Sequence, residues 1–322
     1  MGISIQDMLK TFLIGILAVW SVSCTSAGHR EGDSIGRAAE FTSSGDVKAP
    51  SAPFYNNERE DVGKIEELLE KTGAVGDVNQ RVVAIAREFI GTPYKGGTLN
   101  IPEEEQLYVN TSGMDCTTFV ETVVALAMLE GNSSAGVDGF LRNLQSLRYR
   151  DGIIDGYPSR LHYISEWALD NDSRGNLTEI TPGCRQAVAR VKTIDYMTRN
   201  RGLYPALADK SVFDAIRENE KALKDLHFSV IPSDRVDEAA NECLKSGDIV
   251  AIVTDKEGLD VSHVGIINIK GGIPYMIHAS SKYKKVVEDT VPLREYLYRQ
   301  KSPGVRVFRI IDRGERQDPV GA

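Results

Sequence analysis

The sequence predicts an α+β fold, with helices in the first half of the folded region and an antiparallel sheet near its end. Between residues 58 and 130 the apolar residues recur every three or four positions, as on the buried face of a helix. From Lys245 the period changes to the alternation of strands, rich in β-branched residues. Because these strands follow one another closely, we expect an antiparallel meander with the helices packed on one face.

Three helices are predicted before residue 131. The first covers residues 60–73 and the second 77–91, and a glycine ends each of them. Asp77 and Gln80 have the spacing of a capping box at the start of the second helix. The third helix begins at Cys116, with Asp115 as its N-cap, and is apolar on most sides as far as residue 130. We expect a helix of this kind to be buried.

The second half of the chain predicts an insert followed by the sheet. Residues 132 to about 240 carry only one clear helical pattern, over 210–226, and otherwise mix turns with short strand-like runs. Four strands follow, in "GDIVAIVT", "VSHVGIINIK", "IPYMIHAS" and "GVRVFRII". We therefore expect a single catalytic domain over 59–322, with a specificity insert around 132–240.

The N-terminus predicts export. An apolar stretch at 11–20 follows Lys10 and is too short to span a membrane but suits a signal peptide. We assign 1–24 to this signal and 25–58, rich in Ser, Gly, Ala and Pro, to a flexible tether. Cys24 resembles a bacterial lipoprotein processing site, and ordinary cleavage nearby, within the Ser- and Ala-containing stretch up to Ala27, is the competing interpretation. The exported protein is expected in the periplasm or cell envelope. A lipid on Cys24 would anchor it to a membrane surface there.

Composition limits the partners and the redox state. The formal net charge is −8, so nucleic acid, which needs clustered basic residues, is excluded as a partner. Four cysteines are present, and processing at Cys24 leaves three. An odd number in an exported protein indicates one free thiol. Cys184 and Cys243 could pair, although the sequence does not fix the distance between them.

One cysteine and two histidines are the candidate catalytic groups. Cys116 lies at a helix start, where unpaired N–H groups favour a thiolate and suit an oxyanion. His263 and His278 lie on successive predicted strands across a Gly-Gly turn, so one imidazole can orient the other. Taken singly, Cys116 is better interpreted as a small buried hydrophobe, and each histidine at least equally well as a satisfied structural residue.

The order of four segments, "FIGTPYKGG", "DCTTFVE", "KSGDIVAI…SHVGIIN" and "HAS", resembles the NlpC-type cell-wall cysteine peptidases of the papain-like superfamily. The resemblance implies a papain-like core in which a helix that starts with the nucleophile packs on a small antiparallel sheet. It also implies that Cys116 is the nucleophile, His263 the base and His278 the orienting residue.

The same resemblance implies three residues that line the substrate site. Tyr94 matches the aromatic residue of a loop near the nucleophile, and Asp115 and Ser262 match substrate-subsite positions of some peptide-cutting members. This chain departs from the common pattern at Thr117 and Thr118, where many members have Ser-Gly after the cysteine. It also has a much longer segment between Cys116 and His263 than compact members of that superfamily have.

The long middle segment, with "RLHYISEWALDN", resembles an N-acetylmuramoyl-L-alanine amidase-like branch. That branch cuts the amide between the lactyl group of muramic acid and the first L-Ala of the stem peptide. We expect substrate contacts from Arg160, His162, Tyr163 and Trp167, because aromatic faces suit sugar rings and arginine can clamp a carboxylate. The alternative is that these residues form an ordinary packed cluster.

The resulting hypothesis is a cysteine amidase that acts on peptidoglycan fragments (muropeptides) and needs no metal or cofactor. A zinc site built on His162 and His263 has no support from their spacing. Three alternatives stay open: an endopeptidase that cuts between D-Glu and the diamino acid of the stem, a papain-like acyltransferase, and a non-catalytic wall-binding lipoprotein. The oligomeric state is not predicted.

Overall fold

A computed structural model of the protein describes residues 52–101, 104–129 and 135–311. The predicted signal peptide, the processing site at Cys24 and most of the predicted tether lie outside these residues. No helix of the described part is long and apolar enough to cross a membrane.

The described residues form nine α-helices. In order they are α1 (Glu58–Thr72), α2 (Val78–Glu88), α3 (Cys116–Ala127), α4 (Gly136–Arg148), α5 (Ile164–Ser173), α6 (Tyr196–Arg199), α7 (Lys210–Lys221), α8 (Val236–Glu242) and α9 (Leu293–Gln300). The three helices predicted before residue 131 and the one over 210–226 are confirmed. Asp77 caps α2 by accepting from the Gln80 N–H.

The strands form one large antiparallel sheet and one small parallel pair. They are β1 (Phe54–Tyr55), β2 (Tyr108–Val109), β3 (Leu177–Glu179), β4 (Val188–Lys192), β5 (Leu226–Pro232), β6 (Ile249–Val253), β7 (Val261–Lys270), β8 (Ile273–Ser280), β9 (Lys285–Glu288) and β10 (Gly304–Ile310). The pair is β1–β2, and the large sheet runs β4-β5-β10-β6-β7-β8-β9, with β3 also paired to β10. The predicted meander is β6-β7-β8.

The larger core lies between the sheet and the N-terminal helices. Strand side chains alternate between the two faces, and Ile249 and Ala251 of β6 face α2 and α3. Helix α3 is buried along its length because its apolar residues surround it, with Phe119 and Val123 fully enclosed. The expected α+β arrangement of helices on an antiparallel sheet is therefore observed.

The second face of the sheet is also covered, so the expectation that helices pack on one face only is wrong. Val250 and Ile252, the alternate residues of β6, pack with Val236 of α8 and with Leu293 and Leu297 of α9. These helices are short and lie between strands, and their apolar pattern is too brief to read from sequence.

The insert contains more regular structure than its sequence pattern indicates. It holds α4 and α5, which pack with the larger core, and strands β3, β4 and β5, which extend the main sheet. Cys184, at the end of a 3₁₀ turn, is bonded to Cys243 after α8, with Cα atoms 5.7 Å apart. Cys116 is the free cysteine of the described residues.

Candidate active site

Cys116 is the first residue of α3, and a capping box fixes the turn that carries it. Asp115 Oδ1 accepts from the Thr118 backbone N–H at 2.9 Å, and Thr118 Oγ1 accepts from the Asp115 N–H at 3.0 Å. Both partners are satisfied, so the helix start is held rigidly. The turn thus presents the half-buried Cys116 side chain in a defined position.

The Cys116 thiol lies beside the first half of β7, where β7 does not pair with β8. These strands pair only from Ile266 to Lys270 of β7, whereas the earlier residues of β7 pair with β6 alone. The Ile267 N–H donates to Asp248 O on the β6 side at 2.8 Å. Because successive N–H groups point to opposite sides of a strand, the Val264 N–H points toward β8. It donates there to the Cys116 sulfur.

Two imidazoles and a carboxylate form a chain at the same end of these strands. His263 Nε2 lies 2.6 Å from His278 Nδ1, and the two rings meet edge to face. His278 Nε2 lies 3.5 Å from Asp289 Oδ2, longer than an ordinary hydrogen bond but within ion-pair range. No other partner for His278 Nε2 is present among the described residues. The structure therefore brings the two predicted histidines together and adds Asp289.

The order of these groups determines where their protons are. A carboxylate only accepts hydrogen bonds, so the Nε2 proton of His278 points to Asp289. His278 Nδ1 is then an acceptor, and His263 Nε2 must be the donor between the rings. That tautomer leaves Nδ1 of His263 as a lone pair, which is the form required of a general base.

Burial keeps the Cys116 thiol and the His263 imidazole neutral in the resting site. Burial, and secondarily the neighbouring His278, hold the pKa of His263 well below its usual range. Burial and the charge of Asp115 raise the pKa of the Cys116 thiol to about 12, against the opposing hydrogen bond from Val264. The expectation that the helix start lowers the pKa of this thiol is therefore wrong for the resting site, because desolvation outweighs the helix terminus. Burial disfavours the Asp289 carboxylate, but His278 outweighs it and lowers that pKa.

Two tyrosines border the thiol and the histidines. The Tyr296 ring of α9 lies 6.2 Å from the His263 ring and 5.6 Å from the His278 ring. Burial and the nearby Cys116 raise the pKa of Tyr296 and of Tyr94 above the usual range. Both phenols are thus neutral hydrogen-bonding groups at the site.

The predicted subsite residues Tyr94, Asp115 and Ser262 are all adjacent to the candidate catalytic groups. Tyr94 bridges to Met114, two residues before Cys116. Asp115 is held in the capping box, and Ser262, beside His263, is exposed and donates to Ile252 O at 3.3 Å.

The four insert residues are committed to internal contacts, which corrects the expectation that they present free surfaces to substrate. Trp167 is 3% exposed and meets Phe308 edge-on, and the Tyr163 hydroxyl donates to Glu220. His162 binds Tyr157 O at 3.0 Å, and burial lowers the pKa of its imidazole to about 3.

The guanidinium of Arg160 is likewise engaged within the protein rather than free to clamp a substrate carboxylate. Its guanidinium donates to Leu99 O at 2.8 Å and to Asn100 Oδ1 at 2.9 Å, and it lies 3.6 Å from Glu105 Oε1. In this structure Arg160 therefore braces the loop before β2, as the packed-cluster alternative holds.

Sequence reasoning missed Asp289, Tyr296 and the Val264 N–H. Asp289 follows a strand of four residues, and Tyr296 lies on a helix of eight. Neither element has a pattern long enough to predict, so their side chains could not be assigned to the site. One acidic and one aromatic residue shortly after His278 are too common in sequences to identify site residues by themselves.

The family comparison and one solved structure indicate the same family. Residues 84–305 match a family described as AmiA-like, N-acetylmuramoyl-L-alanine amidase-like. A crystal structure of an N-acetylmuramoyl-L-alanine amidase from Bacteroides uniformis is 33% identical, covers 73% of this chain and 99% of its own, and has a TM-score of 0.68. A search of curated proteins gave no significant match.

Two further solved structures are similar. A Bacteroides fragilis protein named as a xylanase candidate is 37% identical over 70% of this chain and 99% of its own, with a TM-score of 0.65. A Legionella pneumophila protein is 22% identical over 79% of this chain and 96% of its own, with a TM-score of 0.60, which shows the fold alone.

The fold, the family match and the named neighbours define the class as amidase-like peptidoglycan hydrolases. This chain belongs to the AmiA-like, N-acetylmuramoyl-L-alanine amidase-like family.

Proposed function

We propose that the protein is a cysteine amidase that cleaves the bond between N-acetylmuramic acid and L-Ala in muropeptides. The observation that carries the proposal is the chain His263, His278 and Asp289, together with Cys116, whose sulfur is held by the N–H of Val264, the residue after His263. Family membership supports the amide substrate, and the nucleophile helix packed on an antiparallel sheet supports a papain-like relationship.

In the first half-reaction the thiol forms a thioester with the muramoyl lactyl group. Nδ1 of neutral His263 takes the Cys116 proton as the sulfur attacks the amide carbonyl. Since burial disfavours a resting ion pair, proton transfer accompanies attack rather than preceding it. The C–N bond then breaks, and the proton passes from His263 to the amine of L-Ala, which leaves with the peptide.

In the second half-reaction water replaces the peptide. His263 takes a proton from water, the hydroxide attacks the thioester carbonyl, and the C–S bond breaks. The proton returns to the Cys116 sulfur, and free N-acetylmuramic acid leaves. In both steps we assign the Cys116 backbone N–H, which has no carbonyl partner within α3, as a donor to the developing oxyanion.

The chemistry of the site favours this proposal over hydrolysis of a xylan. Glycoside hydrolysis ordinarily needs two carboxyl groups that flank the scissile bond, one as acid and the other as nucleophile or base. Asp115 is held by the Thr118 hydroxyl and N–H, and Asp289 faces His278. A thiol and a neutral imidazole suit acyl transfer instead.

We further propose that the protein acts outside the cytoplasm, where its substrate lies. The family and the predicted signal peptide support this location. Lipidation of Cys24 stays a prediction, and intact-mass measurement of protein from membrane extracts tests it.

The products of a defined muropeptide distinguish the candidate activities. An N-acetylmuramoyl pentapeptide is incubated with the protein and analysed by mass spectrometry. The proposal predicts free N-acetylmuramic acid and a peptide that begins with L-Ala. A muramoyl dipeptide as the sole sugar product would instead establish the D-Glu endopeptidase, and a new amide formed with an added amine would establish the acyltransferase.

A further inference from the structure

Four lysines surround the side of the site that Tyr94 borders, in a chain whose net charge is −8. They are Lys95 on the Tyr94 loop, Lys282 and Lys284 on the turn between β8 and β9, and Lys285, the first residue of β9. All four are exposed. We call these four residues the basic rim.

Backbone hydrogen bonds fix the basic rim relative to the nucleophile. The Tyr94 N–H donates to Lys284 O at 2.9 Å, and the Lys95 N–H donates to Met114 O at 3.0 Å. The Tyr94 segment thus lies between the turn and Met114, so two strand spacings, roughly 10 Å, separate Lys284 from Met114. Cys116 is two residues further on. Lysine side chains that extend from this turn can therefore reach a substrate held at the thiol.

The turn holds a conformation that a non-glycine residue rarely adopts. Lys284 has a φ of 58°, in the left-handed region. Ser280 Oγ accepts from the Tyr283 N–H at 3.3 Å and helps to close the turn. Strain of this kind persists where the surrounding structure requires it, and here it aims the Lys284 carbonyl at Tyr94.

The rim lysines have no acidic partner among the described residues, unlike many other lysines of the protein. Lysines on α1, α7 and β7 are each paired with a carboxylate (Lys64, Lys71, Lys210, Lys221 and Lys270). In the rim, Lys282 lies over the ring of its neighbour Tyr283, 5.2 Å from the centroid. Four unpaired cations in an acidic protein form a local positive field that attracts anions.

We propose that the basic rim binds the free carboxylates of an acidic peptide whose amide lies at Cys116. This inference rests on the proposed function, because the stem peptide that leaves as the amine carries such carboxylates. The rim thereby selects substrates with free acid groups over the same peptides with those groups converted to carboxamides.

The test measures binding without turnover, on the Cys116→Ala background. The probes are an N-acetylmuramoyl-L-Ala-D-Glu peptide and the same peptide with its glutamate carboxyl as a carboxamide. We expect tighter binding of the acid form, and a roughly tenfold loss for that form alone in Lys282→Gln/Lys284→Gln/Lys285→Gln, as expected of a few screened surface charges. Added salt should also reduce the preference for the acid peptide over the carboxamide peptide.

The matched control is Lys210→Gln/Lys221→Gln/Lys224→Gln, which changes net charge equally on and just after α7. We expect its Kd for both peptides to equal that of the parent. Equal Kd values of the parent for the two peptides, or an equal loss in the rim variant and the control, would overturn the proposal. If the Cys116→Ala protein binds the acid peptide more tightly although the wild type cleaves neither peptide, the amidase proposal is rejected and the basic-rim proposal is retained.

Discussion

At the scale of single residues, the protonation of the site follows from its surroundings. The Asp289 carboxylate orders the protons of His278 and His263, and burial holds the Cys116 thiol and the His263 imidazole neutral. In the proposed mechanism, catalysis then depends on a directed proton transfer from Cys116 to His263 rather than on a thiolate that is already present. Reaction of Cys116 with alkylating reagents and substitution of Asp289 test this account separately.

We expect alkylation of Cys116 by iodoacetamide to require unusually alkaline conditions. The thiolate is the reactive form, and the raised pKa means that the folded protein retains the thiol proton above the pH of about 8.5 at which an ordinary thiol loses it. Peptide mapping by mass spectrometry, from pH 6 to 10, follows Cys116 specifically. The same chain in denaturant is the control and should show the ordinary profile. A rate that levels off below about pH 7 in the folded protein would contradict a buried neutral thiol.

Replacement of Asp289 by Asn should lower kcat/KM on the order of 10²–10⁴-fold. The Asn side chain can donate to His278 Nε2, which permits the tautomer that places a proton on His263 Nδ1. Nitrogen chemical shifts of the two imidazoles, measured by NMR, report the tautomers directly. Wild-type shifts together with wild-type kcat/KM in this variant would show that Asp289 does not position the histidines.

At the scale of elements, sequence predicted those parts whose signals are local. The cap Asp115, the apolar faces of α2 and α3, and the β-branched strands β6, β7 and β8 each carry a pattern within a dozen residues. The approach of His263 to His278 followed from two strands joined by a Gly-Gly turn. The point at which β7 and β8 stop pairing could not be predicted, because it depends on contacts between residues that are distant in the sequence.

The capping box of α3 is predicted to contribute about 1 kcal/mol to stability and to hold Cys116 in place. Thr118→Val removes the hydroxyl that accepts from the Asp115 N–H, with nearly the same volume. Thr122→Val, on the same buried helix, is the matched control because it leaves the cap intact. Urea denaturation should show a lower free energy of unfolding, and activity assays a lower kcat, for Thr118→Val. Equal free energies of unfolding and equal kcat values for the two variants would show that the capping box neither stabilises the protein nor positions Cys116.

At the scale of the whole molecule, the insert is part of the sheet and of both cores. Strands β3, β4 and β5 come from the insert, and the predicted substrate residue Trp167 is used to pack against Phe308 of β10. Sequence could not reveal this, because an aromatic residue that binds sugar and one that fills a core have the same local pattern. The partners that decide between these roles lie far away in the chain.

The Cys184–Cys243 disulfide is predicted to stabilise the folded protein by about 2–5 kcal/mol. It joins the insert to α8 on the second face of the sheet, away from the free Cys116. The Cys184→Ser/Cys243→Ser variant should therefore have a lower Tm and, below that Tm, nearly unchanged kcat/KM. Wild-type protein in reductant is the control. An unchanged Tm, or a loss of kcat/KM in fully folded variant protein, would contradict this role.

The central claim, that Cys116 is the nucleophile of a muramoyl-L-alanine amidase, is tested most directly by digesting one muropeptide with wild type and with Cys116→Ala in parallel. Circular dichroism first establishes that the two proteins are equally folded. The account predicts free N-acetylmuramic acid and intact peptide from the wild type, and none above background from Cys116→Ala. Equal product from both proteins would contradict it.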